Sequence, residues 1–152
     1  MITQLESAIV RIRNQRGDIL GGGFLVADRK VLTSAVVVRK ALNLQASELE
    51  IPRGEVELDF PLIMPERRLA SSVIHWEPQD DIAGLKLAEY PPRNAKAVSL
   101  LKAEDPMHHS FRTFCFPPGY EDGVWTSGTI MGRTAAGLAQ IDTREITYTS
   151  QG

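Results

Sequence analysis

Two short runs of β-prone residues, separated by a polar gap, stand out between residues 19 and 38. The runs are 24–26 (Phe-Leu-Val) and 31–33 (Val-Leu-Thr), and the gap is Ala-Asp-Arg-Lys. A gap of this length is typical of a hairpin turn. Three glycines at 21–23 precede the first run, and glycine within a strand pattern indicates a bulge or a close approach of two backbones. The pattern predicts a β-hairpin here.

Elsewhere along the chain, apolar and polar residues alternate with a period of two, as they do in half-buried strands. Val56, Leu58 and Phe60, for example, alternate with acidic residues. Further strands are predicted at 7–13, 69–76, 82–87, 111–116, 123–132 and 138–142. Short helical or irregular segments are predicted at 1–6 and 39–47, and a loop at 61–68. These patterns favour an all-β fold.

The best linker candidate is the proline-rich segment 91–95, Pro-Pro-Arg-Asn-Ala. A linker there divides the chain into a first lobe, 1–92, and a second lobe, 93–152. The full length of 152 residues is enough for one domain or for two small barrels that share a core.

Composition narrows the class of protein. The chain is 43% hydrophobic and 24% charged, which is ordinary for a globular protein. The single cysteine, Cys115, excludes an internal disulfide framework and favours a reducing compartment. Neither a signal peptide nor an apolar run of the ~20 residues that a membrane span needs is recognisable. We therefore expect a cytoplasmic protein with no membrane partner.

A nucleic-acid partner is also not expected. The net charge is -2, whereas nucleic-acid binders are usually basic. Arg11, Arg13 and Arg16 form the one local basic group near the N-terminus, but alternation places Arg11 and Arg13 on the outward face of a strand. A solvated strand face is the simpler interpretation of these arginines.

Two motifs, about fifty positions apart, carry a resemblance to a known family. The first is Gly-Phe-Leu-Val at 23–26, followed by Val-Leu-Thr-Ser-Ala at 31–35 and by Val37 and Val38. The second is Asp-Ile-Ala-Gly-Leu-Lys-Leu at 81–87. Together they resemble the first barrel of trypsin-like serine peptidases, especially bacterial ones. Looser similarity continues through the second half, and the activation-type N-terminus Ile-Val-Gly-Gly is not present.

The resemblance implies two antiparallel β-barrels of six strands each. It places the catalytic acid at Asp81 and the general base at residue 36, which here is Val36 rather than histidine. The segment that carries the family's nucleophilic serine and oxyanion hole has no counterpart in these 152 residues. The second barrel is therefore expected to be incomplete.

Valine has no titratable nitrogen, so Val36 cannot accept a proton from a serine hydroxyl. We expect a catalytically inactive pseudo-peptidase that binds a peptide or protein, with Asp81 as a vestigial triad acid and with no cofactor and no metal. The alternative is a fragment or subunit of an active serine endopeptidase, completed by a further segment, a partner chain or a second copy through the incomplete barrel. A third possibility is an unrelated small β-barrel with accidental motifs.

Other reactive side chains have simpler interpretations. Ser127 and Ser150 lack the sequence context of a nucleophilic serine. His75 lies in a strand-like run and is expected to be packed or on the surface, and Cys115 is expected to be a buried, inert thiol. The remaining candidates are His108 and His109 with Asp105, expected in a surface loop, and Trp76 and Trp125, expected at the core or barrel rim.

Overall fold

The computed structural model describes residues 1–102 and 104–143, and most of their regular structure is antiparallel β-sheet. The chain divides into two units, Met1–Leu100 and Leu101–Gly152. In the first unit the elements are α1 (Gln4–Ala8), β1 (Ile9–Arg13), β2 (Ile19–Ala27), β3 (Lys30–Thr33), α2 (Ala35–Leu42), β4 (Glu55–Phe60), β5 (Met64–Glu77) and β6 (Ile82–Leu87). No helix in the described part of the chain has the length and apolar character needed to cross a membrane.

The six strands of the first unit form a closed barrel in the order β1-β2-β3-β6-β5-β4. The barrel closes because β4 pairs antiparallel with β1, with Ile12 opposite Leu58. Alternate residues of each strand point inward. The core is made of these apolar side chains, among them Val10, Ile12, Val31, Val56, Leu58, Phe60, Leu85 and Leu87. The prediction of an all-β fold with a six-stranded antiparallel barrel is confirmed.

A buried ionic cluster lies at the seam where β1 meets β4. Arg11 is directly opposite Asp59 in the register, and both occupy the face that alternates with the core. Arg11 Nη2 lies 3.0 Å from Asp59 Oδ1, and Arg13 Nε donates to Asp59 Oδ2 at 2.8 Å. Asp59 is 0% exposed and Arg11 only 4%. The expectation of a solvated arginine face was wrong, because both guanidinium groups converge on one buried carboxylate.

Two segments differ from their predicted structure. The helix α2 begins at Ala35 rather than near residue 39, because Ser34 caps it and its first turn takes up the apolar Val36, Val37 and Val38. The strand β5 begins at Met64, inside the segment predicted as a loop, and Phe60 pairs with Met64 across a register shift in β4.

The first unit extends to Leu100, past residue 92, where the composition suggested a boundary. Ala95, Ala97 and Val98 pack against the barrel core, and the Val98 amide donates to the Leu25 carbonyl at 2.9 Å. Residues after the two prolines therefore belong to the body of the barrel.

In the second unit, the described residues form a three-stranded antiparallel sheet in the order β7-β8-β9. The strands are β7 (Ser110–Cys115), β8 (Val124–Arg133) and β9 (Ala139–Thr143). Aromatic rings pack at one end of the hairpin, where the Phe114 and Trp125 ring centroids are 5.1 Å apart. Trp125 also lies beneath the guanidinium of Arg112, 4.4 Å from its ring centroid.

The seam generates a stability prediction. Asp59→Ala removes the carboxylate from two guanidinium groups and is expected to lower the free energy of unfolding by about 3–5 kcal/mol, since breaking a buried ion pair leaves an uncompensated charge. Urea denaturation followed by tryptophan fluorescence measures the change.

Glu89→Gln is the matched control, because the Glu89 side chain is 72% exposed in its pair with Arg67. Its expected cost is below about 1 kcal/mol. Equal costs for the two variants would contradict the assignment of the seam as a buried electrostatic junction.

Candidate functional site

The site predicted from sequence lies at the N-terminus of α2. Ser34 is the N-cap, and its Oγ accepts a hydrogen bond from the Val37 amide at 3.2 Å. The amide of Val36 is one of the donors that a helix leaves unsatisfied in its first turn. It donates to Asp81 Oδ1 at 2.9 Å. The structure therefore brings together the two residues, Val36 and Asp81, that the sequence motifs singled out.

Asp81 is held in place by the turn that joins β5 to β6. Its amide donates to the carbonyl of Pro78 at 3.3 Å, and the Asp80 amide donates to that of Glu77 at 3.2 Å. Asp81 has a φ of 55°, in the left-handed region, which aspartate adopts more readily than most residues. The left-handed conformation changes the direction of the backbone at Asp81, and the carboxylate reaches the first turn of α2.

The β3–β6 ladder sets the distance between the turn and the helix. Thr33, the last residue of β3, pairs with Ala83. The chain enters α2 directly after Thr33 and leaves the turn directly before Ala83, so the two connections emerge at one end of the same strand pair. This local geometry places the exposed Asp81 carboxylate within hydrogen-bonding distance of the first turn of the helix.

A glycine allows α2 to lie close to the barrel. A Cβ atom built at Gly21 would be 2.6 Å from Cγ2 of Val37, which is too close for two carbon atoms. The glycines of β2 were predicted to mark a bulge or a close approach of two backbones, whereas the group that approaches Gly21 is the side chain of Val37 in this helix. Val37 in turn packs against the barrel core.

The arrangement has a clear electrostatic role. A carboxylate near the first turn interacts favourably with the partial positive charge of the helix N-terminus and satisfies one of its amides. Beside it stands the side chain of Val36, 42% exposed and purely hydrocarbon. The site can position a group at residue 36, but no atom of valine can accept or donate a proton. The match of Asp81 and Val36 to the positions of a catalytic acid and a general base stays a prediction.

Sequence reasoning did not identify Ser34 as part of this site. The signal was present, because a serine immediately before an apolar run is the usual start of a helix. Three consecutive β-branched residues, Val36, Val37 and Val38, have low intrinsic helix propensity, and this obscured it.

The other candidate side chains lie elsewhere. Ser127 is exposed on β8, and Ser150 is outside the described residues. His75 is exposed, with Nε2 3.7 Å from Glu77 Oε1. His108 and His109 are exposed before β7. Within residues 1–102 and 104–143, no three His, Cys, Asp or Glu side chains are grouped so that they could hold a metal ion.

Trp76 and Cys115 are partly buried and make packing contacts. Trp76 is partly buried against the core and lies beneath the Arg39 guanidinium, 5.7 Å from its ring centroid. Cys115 is half-buried at the end of β7, with Sγ 3.7 Å from the carbonyl of Val124. Burial raises the pKa of the Cys115 thiol, since desolvation disfavours the thiolate.

Comparison with solved structures shows that the fold is that of the trypsin-like proteases. The serine endoprotease from Yersinia pestis matches with a TM-score of 0.64 and 15% identity, over 90% of this chain and 45% of that protein. The HtrA-type protease AlgW, solved with a decapeptide, matches with a TM-score of 0.63 and 14% identity, over 93% of this chain and 50% of AlgW.

The MamO protease domain from Magnetospirillum magneticum matches with a TM-score of 0.63 and 17% identity, over 94% of this chain and 71% of that domain. The chain thus spans about half the length of the Yersinia protease and AlgW. No protein-family model matches the sequence, and no curated protein does. At these identities the likeness establishes the fold.

The contact between Asp81 and α2 generates a second stability prediction. Asp81→Ala is expected to lower the free energy of unfolding by about 0.5–2 kcal/mol, because it removes an acceptor from the helix N-terminus. Asp81→Asn keeps an acceptor oxygen and tolerates the left-handed backbone, so its cost is smaller. Chemical denaturation measures both.

Asp80→Ala is the control, because Asp80 is an exposed neighbour in the same turn. It is expected to change stability by less than about 0.5 kcal/mol. A cost for Asp80→Ala equal to that of Asp81→Ala would mean that the turn as a whole, and not the hydrogen bond to Val36, carries the effect.

The raised pKa of Cys115 predicts slow alkylation. At pH 8 iodoacetamide should modify the folded protein more slowly than the guanidinium-unfolded protein, because less of the thiol is ionised, and the folded rate should increase at higher pH. Mass spectrometry follows the reaction at the chain's single cysteine. A folded rate equal to or above the unfolded rate would identify a reactive thiol instead.

Proposed function

We propose that this chain is a trypsin-like serine-peptidase-fold module that is inactive in peptide hydrolysis and binds a peptide or protein, as a pseudo-peptidase. The observation that carries the proposal is the pairing of Asp81 with the backbone of Val36 at 2.9 Å. In this proposal the Asp81 carboxylate corresponds to the one that would orient an imidazole, and the side chain beside it is valine.

The chemistry of acyl transfer explains why this difference matters. A serine hydroxyl becomes a nucleophile when an imidazole removes its proton, and a carboxylate holds the imidazole in the correct orientation. Loss of the base alone costs about 10⁶-fold in kcat in a serine peptidase. Asp81 therefore retains a structural use, the stabilisation of α2, and has no base to orient.

The similar structures support a peptide or protein as the partner. All three are described as proteases, and AlgW was solved with a decapeptide. A fold that presents extended chains to a catalytic centre keeps its binding surfaces when the base is lost, because those surfaces do not depend on a titratable group.

A second candidate function is a fragment or subunit of an active serine endopeptidase. The observation in its favour is that the chain matches 45% of the Yersinia protease and 50% of AlgW. A further segment, a partner chain or a second copy would complete the second unit, which begins at Leu101, and would also have to supply the base that Val36 lacks.

We also propose that the protein works in the cytoplasm. Its one cysteine, Cys115, is a free thiol with a raised pKa, and such a thiol is chemically stable in a reducing compartment.

A restoration experiment tests the proposed function. The 152-residue protein and its Val36→His and Val36→Asn variants are incubated with fluorescent casein and with a fluorophosphonate probe, which labels activated serines. None of the three is expected to cleave casein or to be labelled. Casein pulled down by the wild-type protein should be intact by mass spectrometry.

Val36→Asn is the matched control, because asparagine is polar but cannot act as a base. Hydrolysis by wild type would overturn the pseudo-peptidase proposal. Hydrolysis by Val36→His but not by Val36→Asn would favour the endopeptidase alternative, since a competent nucleophile would then be present. Failure to retain casein would argue against peptide binding.

A further inference from the structure

Two lysines lie directly opposite each other on adjacent strands of the barrel. Lys30, the first residue of β3, is the direct partner of Lys86 in β6. Directly opposite residues on one face have Cβ atoms about 5 Å apart, and like charges in such a pair destabilise a sheet. Within residues 1–102 and 104–143, neither ammonium group makes an ion pair. The two positive charges therefore repel each other, and replacing either lysine by an uncharged residue would remove this repulsion.

The lysine pair lines a cleft. The cleft has a volume of about 540 Å³, and Arg29, Tyr90 and Ala97 contribute to its walls together with Lys30 and Lys86. One carboxylate, Asp28, also lines it. Three cations against one anion leave the cleft positively charged, although the chain as a whole has a net charge of -2.

The exposed ring of Tyr90 stands at the edge of this cleft. The residue is 71% exposed. The Arg29 guanidinium lies 5.2 Å from the ring centroid, and Arg67 Nη2 donates to the Tyr90 carbonyl at 3.2 Å. An exposed tyrosine beside arginine is a common feature of protein-binding surfaces, because the tyrosine side chain offers a large contact area at a small entropy cost.

An apolar cleft of about 400 Å³ adjoins the basic one and shares Tyr90, Ala27, Asp28 and Ala97 with it. Its remaining lining is mainly apolar and includes Leu25, Pro91, Pro92 and Ala95, with Arg93 as the one further charge. The walls are held by backbone hydrogen bonds, from the Ala95 amide to the Pro92 carbonyl and from the Leu87 amide to the Arg29 carbonyl. The double cleft is thus preformed, as binding sites usually are.

We propose that this double cleft is a docking site for an acidic peptide segment of a partner protein. An apolar or aromatic side chain of the segment occupies the half lined by Pro91 and Pro92, and a neighbouring glutamate or aspartate binds between Lys30 and Lys86. Charge complementarity selects the acidic residue, and the adjoining apolar half favours a peptide over an inorganic phosphate or a nucleic-acid backbone, which has no apolar side chain to place there.

The site is separate from the position of Val36. Lys30 and Lys86 pair at one end of the β3–β6 ladder, and Thr33 and Ala83 pair at the other, next to α2 and the Asp81 turn. The two pairs stand at the two ends of the four-residue strand β3, three residue steps and roughly 10 Å apart. Binding at the cleft requires neither Val36 nor Asp81, so its test is independent of the pseudo-peptidase proposal.

Fluorescence anisotropy at 50 mM NaCl tests the proposal with a fluorescein-labelled Gly-Glu-Glu-Phe-Glu-Leu-Gly peptide. The double variant Lys30→Gln/Lys86→Gln is expected to weaken binding about tenfold or more, and Tyr90→Ala to weaken it about fivefold. The matched double variant Lys40→Gln/Lys102→Gln removes the same charge from exposed positions and is expected to change binding less than twofold. Replacement of the peptide's glutamates by glutamine should abolish binding.

Thermal denaturation provides a second readout. Relief of the repulsion is expected to raise the Tm of Lys30→Gln/Lys86→Gln by about 1–3 °C, which also shows that this variant folds. A lower Tm would overturn the assignment of an unneutralised lysine pair. Peptide binding that is absent at 1 mM, or equal in both double variants, would overturn the docking site. Lysine-dependent binding of polyphosphate without binding of the peptide would overturn the choice of occupant.

Discussion

Closure of the first barrel depends on the seam at which β4 returns to β1, and that seam contains a buried carboxylate. Asp59 accepts hydrogen bonds from both Arg11 and Arg13 and is shielded completely from water. Each charge would be costly to bury alone, so the three side chains are stable only together, in the register that pairs Arg11 with Asp59. A slip of one residue would turn these charges into the apolar core. The cluster therefore specifies the register as well as joining the two strands.

The site follows from the closed barrel. Once β3 and β6 are paired, the two connections at one end of that ladder must lie side by side. One is the start of α2, whose first turn has amides to satisfy, and the other is the turn that ends at Asp81. Their hydrogen bond through the Val36 amide is a consequence of this arrangement and needs no catalytic residue. This explains how residues 36 and 81 can be held together although residue 36 is a valine.

Much of the barrel was predictable from the sequence because its strands alternate. Val56, Leu58 and Phe60 alternate with polar residues and do point into the core. Alternation reports which residues share a face, however, and not what covers the other face. Arg11 was for this reason assigned to solvent, although Asp59, 48 positions away in the chain, pairs with it. Similarly, Met64 to Arg68 join β5 only because β4 provides a partner, which no local pattern reveals.

The candidate site was predictable to a similar degree. The motifs around Val36 and Asp81 indicated that the two residues belong together, whereas the form of their contact, a side chain bonded to a backbone amide, depends on the left-handed turn at Asp81. The basic half of the double cleft could not be predicted in the same way. The pairing of Lys30 with Lys86 depends on the register between β3 and β6, which are not consecutive strands.

The central claim is that residue 36 occupies the position of a general base and lacks only the imidazole. A crystal structure of the Val36→His variant tests it most directly. The account predicts that an imidazole nitrogen lies within hydrogen-bonding reach of the Asp81 carboxylate, at about 2.6–3.2 Å, with α2 unmoved. An imidazole directed into solvent, with the carboxylate still bonded only to the backbone amide, would contradict it.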